Sequence, residues 1–301
     1  TSPAFNTSFT EYTIIEKRTI AGGNYTDVIW ESVLANAPFA TSTSGKYGRV
    51  RKANETSYDE VIQHAISFTG SAIAGKVIVE NNGVFTVSNA TTLSQNLEVK
   101  AGGSLIAKAA VTKANGSQII LDNGSLFEVD MPSATLTQLH TNLDANLVPG
   151  AGSTVYLKNV PAQTWVTQDM VTRNIGASIA CFDNLRVRAA NGVITLGAVN
   201  KNIASGSLVI ENANDTVYLS ASSAGTTQTQ EVKRLEVLGK FSLSKSTQTT
   251  DSLVLNVDTL LIGNNALFTK KHPKTKAEVF ISGPLTCLLY TSPSPRDRTR
   301  S

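Results

Sequence analysis

The chain has 301 residues and a mass of 31.9 kDa, enough to bury a substantial core, and only 16% of its residues are charged, against about 25% in typical soluble domains. Its wealth of Thr, Ser and Asn favours strands and turns over long charged helices. Hydrophobic residues at 41% exclude global disorder, and no apolar run approaches the roughly 18 residues of a membrane-spanning helix.

Residues 1–60 carry no clear repeat, with Trp30 in the string DVIWESV and a Gly, Ser and Lys-rich stretch at 41–52. They start without an initiator Met or a signal-peptide pattern, so the expectation is a mature product or a fragment. In residues 61–130 a self-similar unit emerges: VIVENNGVFTV (Val77 to Val87), LEVKAGGSLIA (Leu97 to Ala107) and IILDNGSLFEV (Ile119 to Val129). Apolar or small residues fall at matching offsets on either side of a Gly or Asn turn, as in Val77, Val79, Phe85 and Val87. One such turn-bearing strand pair cannot bury its apolar face alone. Stacking solves the problem, and the predicted fold is an all-β parallel β-solenoid (β-helix) with rungs of about 20–25 residues. Residues 1–60 are then expected to form an irregular N-terminal cap that covers the first edge.

Residues 131–184 lack the repeat and are expected to hold an irregular insertion, with TLTQLHTNLD as a short helical turn or lateral loop, and a strand pair. The solenoid pattern resumes over 185–286 in strings beginning at Leu185, Leu208, Leu235 and Leu255, with the polar SASSAGTTQTQE (Ser220 to Glu231) as a longer corner loop.

The search for chemistry yields no catalytic, cofactor-binding or metal set. His64, His140 and His272 are scattered and fall in no metal-ligand spacing, with His64 expected on the outer face of a strand. Cys181 follows Ile179 and Ala180 and is expected to pack as a small hydrophobe. Asp122, Asp130 and Asp144 come nearest to a carboxylate cluster, yet Asp122 opens a corner turn and the structural role is expected to prevail. Lys270, Lys271, Lys274 and Lys276 read as a solvated loop between strands, and Trp30 and Trp165 as core residues. Asn-x-Ser/Thr sites occur at Asn6, Asn24, Asn54, Asn89, Asn115, Asn123 and Asn214, several of them supplied by composition alone.

Residues 287–301 read CLLYTSPSPRDRTRS, and CLLYTSPSPRD resembles the out-of-frame translation of a transposase sequencing adapter, a frequent contaminant at the ends of metagenomic reading frames. This tail is therefore expected to be non-native and dispensable for folding. Without its three arginines and one aspartate the net charge falls from +3 to +1, which removes any argument for nucleic acid or anionic membranes as partners. The tail cannot supply a further rung, so the expected state is a monomer with an aggregation-prone cut end.

The repeat strings resemble the secreted, repeat-rich β-helical modules of Bacteroidetes-type surface proteins, many of them exported by the type IX route. VIQHAISFTGSAIAGKVIVENNGVF (Val61 to Phe85) resembles their opening rungs and is similar also to the head domain named for its eight glycines, with AGGSL (Ala101 to Leu105) as the usual corner. Gly152 to Trp165 with Phe182 to Gly197 is similar to their linked strand pair, and Leu255 to Thr286 to their terminal rungs. The resemblance implies a non-enzymatic, adhesin-like module, secreted or on the bacterial surface, with surface glycans or other surface proteins as partners and no cofactor. It carries no catalytic residue onto any position here. A second reading is a carbohydrate-binding or polysaccharide-cleaving β-helix whose active part lies largely outside this segment.

Overall fold

The computed structural model describes residues 14–25, 30–35, 44–50, 59–144, 146–161, 163–166, 174–175, 178–189, 193–198, 202–212, 214–221, 227–243, 252–270 and 276–287. Among these the chain is almost entirely parallel β-strand, wound as a solenoid whose successive turns pair in register.

Over 59–130 each turn contributes to three walls. In the first wall, Val77–Val79, Leu97–Val99 and Ile119–Leu121 pair so that Val77, Leu97 and Ile119 form one rung-to-rung ladder and Val79, Val99 and Leu121 another. The second wall pairs Val84–Val87, Ser104–Ala107 and Leu126–Asp130, stacking Phe85 on Leu105 on Phe127. All of these inward residues are buried. The offsets seen in the sequence are thus the register of the walls, because only residues spaced by two on each straight segment reach the shared core. The third wall, Ala72–Ile73, Thr91–Leu93 and Val111–Lys113, is short.

The corner between the first two walls is itself a ladder. Asn82, Gly102, Gly124 and Gly152 occupy one position of successive turns, all with φ between 64° and 77°. The amide of each donates to the next: Asn82 N to Gly102 O, Gly102 N to Gly124 O and Gly124 N to Gly152 O, at 3.1–3.2 Å. The adjoining Gly103 is needed for another reason, since a Cβ there would lie 2.6 Å from the carbonyl oxygen of Val79 and 2.9 Å from that of Glu80. Gly124→Ala, with open space around its Cβ, should cost only the left-handed conformation, about 1–2 kcal/mol. Gly103→Ala should cost clearly more, because backbone of the preceding rung must move; paired urea melts of the two variants check the order.

The described part of the segment expected to be an irregular insertion is more ordered than its sequence suggests. After Met131 the chain leaves the wall and forms a helix, Leu136–Asn142, whose N-terminus is closed by a capping box between Thr135 and Gln138. The solenoid then resumes: Leu147–Pro149 pairs with Ile119–Leu121, and Thr154–Val160 with Leu126–Asp130. The helix ends the third wall. The Asn142 side chain accepts from Val111 N (2.8 Å) and donates to Ala109 O (3.3 Å), offering to the last strand the donor and acceptor that a further rung would have supplied. Lys113, stacked in the ladder of Ile73 and Leu93, has a fully buried side chain whose ammonium donates to Thr141 O and lies 3.0 Å from Asp144 Oδ1. Asn142→Leu should therefore destabilise the protein by about 1–3 kcal/mol, the cost of leaving the Val111 amide buried without an acceptor. Thermal melts measure that loss, and hydrogen exchange should speed at Val111.

Beyond this point the cross-section changes. The second wall continues without a break through Leu185, Leu208, Leu235 and Leu260, each pairing with the one before. The rung position equivalent to Leu235 therefore lies at Leu260, five residues later than the Leu255 chosen from sequence. Strands here are long, as in Ser178–Ala189, Thr227–Val237 and Ser252–Ile262, because the Gly turn ahead of the second wall is replaced by a bend within the strand. Buried residues alternate along Leu253, Leu255 and Val257 and then step by three to Leu260, while Val232 steps by three to Leu235. Two outward residues in a row place the bend at Lys233-Arg234 and Asp258-Thr259. The Gly and Asn turns have moved to the other end of the second wall, at Gly239 and at Gly263 to Asn265, where they lead into a fourth wall formed by Gln163–Val166, Val193–Ala198, Thr216–Ala221, Lys240–Leu243 and Leu267–Lys270. Its inward ladder runs from Ile194 through Val217 and Phe241 to Phe268.

At the N-terminal end the described parts of 1–60 are regular strands. Ile14–Thr19 pairs in parallel with Asp59–Ile62 and antiparallel with Trp30–Ala35, which in turn pairs antiparallel with Ser44–Val50. Reversal of strand direction ends the solenoid there. Glu60 stands in the ladder of Val77 and Leu97, with Lys17 as its register partner; both are buried, and the buried Tyr25 hydroxyl donates to Glu60 Oε2. At the opposite end, Lys276–Ile281 and Leu285–Cys287 pair with Ser252–Ile262 and leave Phe280, Ile281 and Leu285 exposed. Cys287, first residue of the tail expected to be non-native, pairs with Ile262; the rest of the tail lies outside the described residues.

Candidate functional site

The residues singled out from sequence are dispersed by the fold. Asp122 lies in the corner turn with Lys100 Nζ 3.2 Å from its carboxylate, Asp130 accepts from Asn159 Nδ2 at 3.0 Å, and Asp144 holds Lys113 and the amide of Asn146. Each has its own structural partner. His64 sits in the corner between Asp59–Ile62 and Ala65–Phe68 rather than within a strand, and its Nδ1 is 3.1 Å from Thr19 Oγ1. His140 is in the helix, and His272 lies outside the described residues. So do Lys271, Lys274, Asn6 and Asn54, and the side chains of Cys181, Trp30 and Trp165. Asn89, Asn115, Asn123 and Asn214 are exposed at turns. Among the described residues no group of three or more His, Cys, Asp or Glu side chains converges as a metal site would require.

Several outward charges among the described residues pair with neighbours on the same or the adjacent turn. On the first wall the chain Asp59, Lys76, Glu98, Lys100, Asp122 alternates in sign, with contacts of 2.9–3.2 Å. Burial pushes Glu98 up, but the ammonium groups of Lys100 and Lys76 outweigh it and hold the carboxyl below its ordinary value. On the second wall Lys158 meets Glu128 at 2.8 Å, and Arg186 lies 4.5 Å over the ring of Tyr156 while its Nε donates to Glu211 (2.6 Å). Tyr156 donates its hydroxyl proton to Glu211 at 2.6 Å, and burial with that carboxylate pushes the phenol up to about 12. Because the folded state holds this proton more tightly, the stabilisation is whole below pH 10, the phenol's ordinary value, and is lost as pH rises to about 12. Difference absorbance of phenolate against Tyr156→Phe should place this ionisation late, and the variant should lack that share of the alkaline loss.

One outward region is arranged differently. Beside the bend of the long strands lies a groove of about 420 Å³ on four successive turns, lined by Asn202 and Ser205, Glu231 and Lys233, Asn256 and Asp258, and Phe280 and Ser282. Glu231, Asn256 and Phe280 are register partners and form a ladder of carboxylate, amide and aromatic ring. The walls of the groove are fixed by hydrogen bonds: Asn202 Oδ1 accepts from Glu231 N (2.9 Å), Ser205 donates to Asp183 (2.9 Å), and Ser282 donates to Asp258 Oδ1 (2.9 Å). Sequence reasoning missed these residues because outward positions obey no apolar periodicity. The one signal present was the alternation in Leu-Asn-Val-Asp at 255–258, which leaves Asn256 and Asp258 facing out.

No family model, curated protein or solved structure matches the chain.

Proposed function

We propose that the chain is a non-enzymatic, adhesin-like structural module, a stiff solenoid that is secreted by a bacterium or displayed on its surface and holds a binding face away from its anchor. The observation that carries this reading is the inward ladder of the second wall from Ile66 to Leu260, which makes each turn a template for the next and joins both halves of the solenoid into one rod. The outward ion pairs add cross-rung ties, and the resemblance to secreted surface modules supports the location. Purified protein should scatter X-rays as an elongated particle and release no product from a polysaccharide panel with or without calcium. A compact particle contradicts the rod.

The second reading, a polysaccharide-cleaving β-helix, is favoured by one observation: Glu231 and Asp258 share the groove. Reproducible cleavage abolished by Glu231→Gln or Asp258→Asn would replace the first reading with the second.

A further inference from the structure

The groove beside the strand bend differs from the ion-paired faces of the first and second walls in what its polar groups do. On the first and second walls, acids and bases of adjacent turns meet each other, as in Lys76 with Glu98 and Lys158 with Glu128. In the groove, Glu231 and Asn256 are adjacent in the ladder, yet among the described residues no hydrogen bond or ion pair joins the carboxylate or the amide to a neighbour. Phe280, next in that ladder, is 56% exposed. Three neighbouring positions thus present an acceptor, a group that both donates and accepts, and an apolar ring, in line along the axis at a spacing of about 4.8 Å.

We infer that this groove binds a neutral oligosaccharide laid along the solenoid axis, which deepens the adhesin-like reading by naming the ligand class and rests on it. A pyranose offers an apolar C–H face and a rim of hydroxyls that donate and accept. The Phe280 ring takes the C–H face, the Asn256 amide reads an adjacent donor–acceptor pair, and the Glu231 carboxylate accepts from hydroxyls of the next unit. The charged lining is two carboxylates, Glu231 and Asp258, against one ammonium, Lys233, which disfavours a polyanion. The four turns span about 14 Å, room for a chain of sugars rather than one. Because the backbone ladder fixes the ligand-facing side chains on strands, the site is built before ligand arrives.

The test is calorimetric titration of the whole chain with cellohexaose, xylohexaose, mannohexaose and chitohexaose, and with the acidic hexagalacturonate as comparison. At least one neutral hexasaccharide should bind, more tightly than the galacturonate, and the affinity should fall at least tenfold in Phe280→Ala and in Asn256→Ala. Thr86→Ala, on the outer face of a distant turn, should leave it unchanged. If Phe280→Ala disturbs the terminal strand by circular dichroism, Asn256→Ala and Glu231→Gln decide. Failure of all four neutral sugars to bind at millimolar concentration, binding untouched by the groove variants, or preference for the galacturonate overturns the inference. The X-ray scattering profile of the same sample reports on the rod independently, so an elongated particle that binds no sugar removes only the ligand.

Discussion

Replacing Glu60 by leucine is expected to destabilise the protein by about 3–5 kcal/mol, although every later rung carries an aliphatic residue at that place in the ladder. The reason lies in its neighbours. Lys17 is 1% exposed and is the register partner of Glu60, and the buried Tyr25 hydroxyl donates to the Glu60 carboxylate. Leucine would leave a buried ammonium beside an apolar side chain and a buried hydroxyl without its acceptor. The double variant Lys17→Met with Glu60→Leu removes the buried ammonium as well and should recover part of the loss, leaving the cost of the Tyr25 hydroxyl without that acceptor. Urea unfolding of wild type, both single variants and the double variant completes the cycle. Additive losses would show that the two residues act independently.

Phe127→Ala carries the other large effect, a loss of about 3–5 kcal/mol from the cavity left in the inward ladder. Phe127 is fully buried and stacks between Leu105 and Val155, so two rungs collapse toward the space it vacates. In a stacked array each turn contacts only its neighbours, so the damage should be local before it is global. Hydrogen exchange should accelerate first in 97–130 and 147–160 and only later near 235–262. The outward neighbour Leu126→Ala should cost much less, because it is only partly buried.

The walls were legible in the sequence wherever a straight two-residue alternation met a Gly or Asn corner, as at Val77 to Val87 and Leu97 to Ala107. There the core demands apolar residues at fixed offsets and the corner demands a positive φ, so both constraints leave a mark in the chain. Three features left none. The return of the solenoid at Leu147 was hidden because the helix lengthens that turn and breaks the spacing. The part of Asn142 in closing the third wall depends on a three-dimensional match to Val111 and Ala109, which no local pattern encodes. The rung start at Leu260 was displaced to Leu255 because a strand that bends keeps its alternation on both sides of the bend and hides the step of three between Val257 and Leu260. The groove was illegible for a related reason. Glu231, Asn256 and Phe280 stand 25 and 24 residues apart, close to the rung length, but they are three different residue types, so the repeat that apolar inward positions make visible leaves no mark at these outward ones.

The central claim is that one continuous parallel solenoid runs through the helical excursion, with a single ladder shared by both halves. Thr86 and Glu236 lie on the same outward ladder of the second wall, joined through Ile106, Glu128, Tyr156, Arg186 and Val209. Spin labels at these two positions, in a Cys181→Ser, Cys287→Ser background, measure the claim by pulsed electron resonance. Six rung steps put the two backbones about 29 Å apart, and moving the first label from Thr86 to Ile106 should shorten the distance by one step of about 4.8 Å. A narrow distribution that contracts by that step is the expected result. A broad distribution, or a distance that does not change between the two label pairs, would contradict a continuous solenoid.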